Sequence, residues 1–117
     1  MKIFLRCKYL YDLSGEKEYN DWRMYGRSKL ANILFALSLN KRFKGTNRTA
    51  NAVHPGVIIT NLARHVEDSE EMFESLKHQI TLKSIQQGAA TQCYVATTPE
   101  LKGVGGKYFS DCQISKT

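Results

Sequence analysis

Between residues 22 and 44, apolar side chains recur at helical spacing. Leu30, Ile33, Leu34 and Leu37 share one face, with Phe35 beside them and Ala31 and Ala36 permitting close approach. The pattern predicts a helix from Trp22 to about Lys44, stopped by Gly45 after a basic last turn. The next apolar stretch is shorter. Thr49, Ala50, Ala52 and Val53 carry a β-branched residue at each end and run into Pro55-Gly56, as a strand covered on both faces would. Val57 to Ala63 reads as a loop leaving the carboxyl end of that strand. Residues 69–80, SEEMFESLKHQI, give a weaker helical pattern. Ser84 and Gln87 form a capping-box start for a further helix, SIQQGAATQCYVATTP, ending near Pro99. GVGGKYFSD reads as a glycine-rich turn into a strand around Lys107 to Phe109. Ahead of these elements, the polar residues 14–21 read as a turn, and a short strand is expected at about residues 2–5.

Helices alternating with strands of parallel type indicate an α/β sheet protein. Two parallel strands cannot cover both their faces and their edges. The pattern therefore reads as part of a larger, doubly wound sheet.

Composition narrows the class. The 117 residues are 42% hydrophobic and 24% charged, which suits a soluble globular domain and excludes disorder. No apolar run reaches membrane-spanning length. The start, MKIFLRCKYLYDLS, is interrupted by Arg6 and Lys8 and has no small-residue cleavage site, so it does not read as a signal peptide. An intracellular protein, cytoplasmic or organelle-associated, is expected. Cys7, Cys93 and Cys112 show no metal-ligand spacing and read as reduced thiols, so no metal is expected. The net charge of +6 is concentrated in the first half. It could attract phosphates or nucleic acid. A solvated helix end explains Lys41, Arg42 and Lys44 more simply, because cations suit a helix carboxyl terminus.

The helix begins with RMYGRSKLAN, residues 23–32. Tyr25 and Lys29 stand four apart and share a face. A free phenol, with a pKa near 10, is a poor acid or base at neutral pH, and a nearby ammonium favours its ionised form. An interfacial aromatic beside a snorkelling surface lysine is the competing reading, and on these residues alone it is the simpler one.

Further motifs change that balance. Tyr25-Gly-Arg-Ser28-Lys29 matches the YxxSK signature of the short-chain dehydrogenases/reductases, and HPGVIIT, residues 54–60, matches the Pro-Gly-x-x-x-Thr element that follows their sixth strand. Residues 12–35 and 86–112 resemble the retinol dehydrogenase-like branch, which includes the WW-domain-containing oxidoreductase. The resemblance runs from about residue 12 to the end. It implies the C-terminal half of a Rossmann-type domain: a divergent start (1–11), the catalytic helix, strand and nicotinamide-side loop (12–60), a substrate lid (61–83), and a closing helix and strand (84–117). It implies that Tyr25 passes a proton to or from the substrate oxygen. Lys29 would lower the pKa of Tyr25 and hydrogen-bond the nicotinamide ribose. Pro55, Gly56, Val57 and Thr60 would contact the nicotinamide of NAD or NADP. The implied substrate is a hydrophobic alcohol or carbonyl such as a retinoid, steroid or lipid aldehyde. The implied partner is a second copy or a relative, met through the YxxSK helix. His54 is expected to pack, Asn51 to be a hydrogen-bonded strand residue, Ser28 to bond locally, and His65 and His78 to lie on solvated surface.

Parts of the family pattern are not in this sequence. There is no Gly-x-x-x-Gly-x-Gly turn, since Gly103, Gly105 and Gly106 lie near the end and precede a strand. The catalytic asparagine has no counterpart. Residues 1–11 do not resemble the segment that carries the catalytic serine, and Ser14, in a turn that follows no strand, is not assigned that role. Little or no cofactor binding is therefore expected of this chain alone. The rival readings are a noncatalytic remnant serving as an interaction module and, far behind, a small basic nucleic-acid binder.

Overall fold

The computed structural model describes residues 12, 14–58 and 82–115. The expected strand at residues 2–5, the helix at 69–80, His65, His78 and Thr60 lie outside them.

The first helix, α1, spans Asp21–Arg42. Asn20 caps it, its side-chain oxygen accepting the Arg23 N–H at 2.9 Å, and Asp21 adds a carboxylate to the first turn. Lys41 and Arg42 occupy the last turn, and the chain then turns through Phe43 to Gly45, whose φ is +84°. The helix stops two residues before the expected Lys44, because Phe43–Gly45 already form the turn.

The strand β1 is Ala52–His54, displaced toward the carboxyl side of the expected Thr49–Val53. The reason is visible in the hydrogen bonds. The Ala50 N–H is held by Asn40 Oδ1 at 3.2 Å, whereas the Ala52 N–H donates to the Lys107 carbonyl at 2.9 Å and opens the ladder. Asn51 extends the pairing with its side chain. Its Nδ2 donates to the Val104 carbonyl at 2.9 Å, and its Oδ1 accepts the Lys107 N–H at 3.0 Å.

The second helix, α2, is Ile85–Thr97 and has the expected capping box: Gln87 N–H to Ser84 Oγ at 3.2 Å, and Ser84 N–H to Gln87 Oε1 at 2.8 Å. It ends at Thr98, which is extended ahead of Pro99 as a residue before proline prefers. A 3₁₀ turn, Pro99–Leu101, leads to β2 at Tyr108–Ser110. A third strand, β3 at Gln113–Ile114, was not expected. Asp111 and Cys112 both have positive φ, 52° and 57°, and make the tight reversal between β2 and β3.

The sheet order is β1-β2-β3. β1 and β2 are parallel, with Val53 opposite Phe109, and β2 and β3 are antiparallel, with Phe109 opposite Ile114. The described sheet is thus mixed, where a purely parallel one was expected. The difference arises because two left-handed residues turn the chain straight back along β2.

Burial is uneven. Phe109 and Thr91 are each 1% exposed, and Gly88 is buried with them where α2 crosses the sheet. No residue of α1 is buried. Its apolar stripe, expected to face a core, is only half covered: Leu30, Ile33, Leu34 and Leu37 are half-buried, and Phe35 is 67% exposed.

Candidate functional site

A groove of about 830 Å³ lies between α1 and β1. Tyr25 and Lys29 stand on its helical wall; Val53, His54, Pro55 and Gly56 form the wall that leaves the strand. Helical spacing brings Tyr25 and Lys29 together, and the break of β1 at Pro55 brings Pro55 and Gly56 to face them.

The Lys29 ammonium lies 4.9 Å from the centre of the Tyr25 ring, in cation–π range. The Trp22 ring meets Tyr25 edge-on, 6.3 Å between centres. Tyr25 remains 43% exposed. Ser28 donates to the Tyr25 carbonyl at 2.7 Å, the local hydrogen bond expected of it.

Arg27, between the two candidate residues, holds the helix to the preceding turn. Its Nη1 donates to the Asp12 carbonyl at 2.6 Å. The Asp12 carboxylate accepts the N–H groups of Glu16, Lys17 and Glu18 at 3.1 to 3.3 Å. Desolvation raises the pKa of this carboxyl, but the N–H groups of Glu18, Lys17, Glu16 and Gly15 outweigh it and hold the group below its ordinary value. Ser14 is exposed and bonds this carboxylate at 3.5 Å; it is not on the groove wall.

His54 is exposed, contrary to the expected packing role. Its Nδ1 accepts the Gly56 N–H at 2.7 Å, which places any ring proton on Nε2, and its ring meets Tyr108 edge-on. It therefore shapes the Pro-Gly turn. Gly56 has φ +91°, and a Cβ there would collide with the Lys83 side chain. Val57 does not line the groove; its carbonyl accepts the Lys83 N–H at 2.9 Å, and Ile58 bridges to Lys83.

Lys83 and Asp111 are the neighbours that the motifs did not announce. Lys83 lies across Gly56 and makes a hydrogen-bonded ion pair with Asp111. Hydrogen bonds from Lys83 and Ser110, then the lysine charge, hold the Asp111 carboxyl below its ordinary value. The only advance signal was the Ser-Asp step after the last apolar run, which marks a turn but not a partner. Cys93 and Cys112 are free thiols. No described helix is long and apolar enough to cross a membrane.

Comparison with known proteins supplies the class. The chain is 45% identical over 105 residues to retinol dehydrogenase 14 of Homo sapiens, covering 87% of this chain and 31% of that protein. It is 46% identical over 105 residues to the short-chain dehydrogenase TIC 32 B, chloroplastic, of Brassica napus, covering 88% and 32%. It is 42% identical over 103 residues to retinol dehydrogenase 12 of Mus musculus, covering 88% and 32%. The chain spans about a third of the length of these relatives. No family model matches it, and no solved structure does. With its α/β topology, this similarity over nearly the whole chain makes it a member, in part, of the short-chain dehydrogenase/reductase family of oxidoreductases. Within that family it falls in the retinol dehydrogenase-like branch, as a C-terminal segment.

Proposed function

We propose that this chain supplies the proton-transfer pair and the nicotinamide-side wall of an NAD(P)-dependent alcohol/carbonyl oxidoreductase. One observation carries the proposal: Tyr25 and Lys29 face Pro55 and Gly56 across a single groove. An exposed phenol, an ammonium one helical turn away and a glycine turn opposite suit the nicotinamide-ribose half of a dinucleotide. Bound there, the cofactor would supply or accept the hydride. Tyr25 gives its proton to a carbonyl oxygen or takes one from an alcohol. Lys29 stabilises the tyrosinate and donates to the ribose hydroxyls. The Pro55–Gly56 turn, shaped by His54, presents backbone to the ring, and Thr60 is the candidate partner of the nicotinamide carboxamide. The substrate is a hydrophobic alcohol or carbonyl of retinoid, steroid or lipid type. The surrounding domain is doubly wound, and the glycine-rich pyrophosphate cradle must come from outside these 117 residues, since none of their glycine clusters opens a helix after a strand. Alone, the chain binds little dinucleotide and is inactive.

The test is a chimera in which this chain replaces the matching segment of human retinol dehydrogenase 14. Reduction of retinal is expected, with Tyr25→Phe lowering kcat by about 10²- to 10⁴-fold and Lys29→Met lowering it as well. An active chimera indifferent to Tyr25→Phe would overturn the assignment. If the chimera does not fold, NADPH and NADH titrations of the chain itself decide the second claim, because tight saturable binding would contradict it.

A second reading draws on the uncovered helix. With no buried residue in α1 and with Trp22 and Phe35 exposed, the chain could serve as a noncatalytic dimerisation module. A concentration-dependent dimer broken by Trp22→Ser, measured by sedimentation, would favour it.

A further inference from the structure

A second groove, of about 620 Å³, lies at the amino ends of β1 and β2, the opposite end of the sheet from Pro55 and Gly56. Lys41, Lys44 and Arg48 line one rim and Lys102 the other. Among the described residues, no carboxylate lines it. The chain carries no Asp or Glu from residue 22 to residue 58 and seven basic side chains in that stretch: Arg23, Arg27, Lys29, Lys41, Arg42, Lys44 and Arg48. Arg23 is paired with Glu18, and Arg27 is bonded to the Asp12 carbonyl. The groove cations have no ion pair among the described residues.

The dipole of α1 accounts for Lys41 and Arg42, which sit in its last turn. It does not account for Arg48, which follows the turn, or for Lys102, which arrives from the far side of α2. The fold brings these cations together, and the backbone beneath them is fixed. Asn40 Oδ1 accepts the Ala50 N–H, and the Gly106 N–H donates to the Ala50 carbonyl at 2.8 Å. A Cβ at Gly105 would collide with the Asn40 amide, so only glycine lets the two rims approach this closely. Four like charges are thus gathered on a fixed frame, with no ion pair to a carboxylate among the described residues.

We propose that this groove binds an anion carrying two or more phosphate groups, either a free polyphosphate or a phosphorylated headgroup. Cations on two rims require a ligand with charge at both ends. Lys and Arg on a preformed frame suit phosphate oxygens. The inference is independent of the role of Tyr25, which lies at the other end of α1.

The test is calorimetric titration of inorganic tripolyphosphate into the full chain at about 50 mM salt. Saturable binding is expected, weakening steeply as salt rises, with monophosphate at least about tenfold weaker. Lys44→Gln and Lys102→Gln should each weaken it by about fivefold to tenfold. Arg23→Gln, which removes an equal charge from the other end of α1, should change it less than about twofold. All three side chains are exposed, so each variant should keep the wild-type circular dichroism. Co-sedimentation with vesicles containing a bisphosphorylated inositol lipid separates the sources. Preference for the vesicles assigns a headgroup and preference for tripolyphosphate assigns a free ligand, and either supports the site. No saturable binding to both probes would overturn it. An equal loss with Arg23→Gln, or tighter binding to duplex DNA than to both probes, would do so too.

Discussion

The two helices meet the sheet differently. α2 lies across β2, its buried Thr91 tied to the turn after Phe109 and its buried Gly88 set beside Ile58. α1 is longer, 22 residues against 13, and richer in leucine, yet buries no residue. Helix length and apolar content do not decide burial; opposing surface does. The α2 corner contains its own cover, because β3 folds back beside β2 and the Asp111–Cys112 turn is tied to Thr91. Among the described residues, α1 has β1 and its flanking loops against it, and the half-covered groove holds the candidate chemistry. Among the described residues, the α2 end of the sheet is closed and the α1 end is half covered.

The comparison breaks most readily at Phe109. Phe109→Ala removes the largest fully buried side chain among the described residues and should cost about 3–5 kcal/mol, enough to unfold a marginal domain. Urea unfolding followed by circular dichroism checks it. A loss under about 1 kcal/mol would mean the corner is not the core. Thr91→Val keeps the shape but removes the acceptor of the Cys112 N–H, 3.3 Å away. A cost of about 1–2 kcal/mol is expected, with faster amide exchange at Cys112.

A smaller effect follows from Asp111. Its folded pKa lies below the ordinary 3.8. The unfolded chain therefore takes up the proton first as pH falls. The stabilisation from Lys83 is complete above about 3.8 and lost as pH drops through the lower, folded value. Asp111→Asn should flatten the acid limb of stability below about pH 5 and change little at neutral pH. Chemical denaturation across that range reads it. Asp12 titrates in the same direction, so part of the slope should survive.

Much of this was legible along the chain. The α1 stripe, the Ser84–Gln87 box and the Pro55-Gly56 stop are local signals, and local hydrogen bonding or backbone geometry fixes each of them. Tyr25 and Lys29 share a face for the same reason. What was not legible is tertiary. β3 is two residues long and carries no period of its own. The start of β1 was set by Asn40, ten residues before Ala50, and by Lys107 across the sheet. Lys83 and Asp111 are 28 residues apart and meet only because β2 runs beside β1. The basic groove joins Arg48 to Lys102 by the same route. His54 was read as packing, because a histidine before Pro-Gly does not disclose that its ring will turn back to the Gly56 N–H.

The smallest expected effect tests the open end. Phe35 is 67% exposed on the groove wall. Phe35→Ser removes little buried area, so it should change the stability of the isolated chain by less than about 0.5 kcal/mol. It should also improve solubility, since an exposed aromatic patch promotes association. In the chimera with the rest of retinol dehydrogenase 14, the same substitution should cost about 2–4 kcal/mol, because α1 would then carry a covered face. Paired unfolding curves of the chain and the chimera read the difference directly. A near-zero cost in both would make Phe35 a true surface residue and return α1 to solvent. A large cost in the isolated chain would show that its own sequence already covers the helix, and the contrast between the two ends would fall.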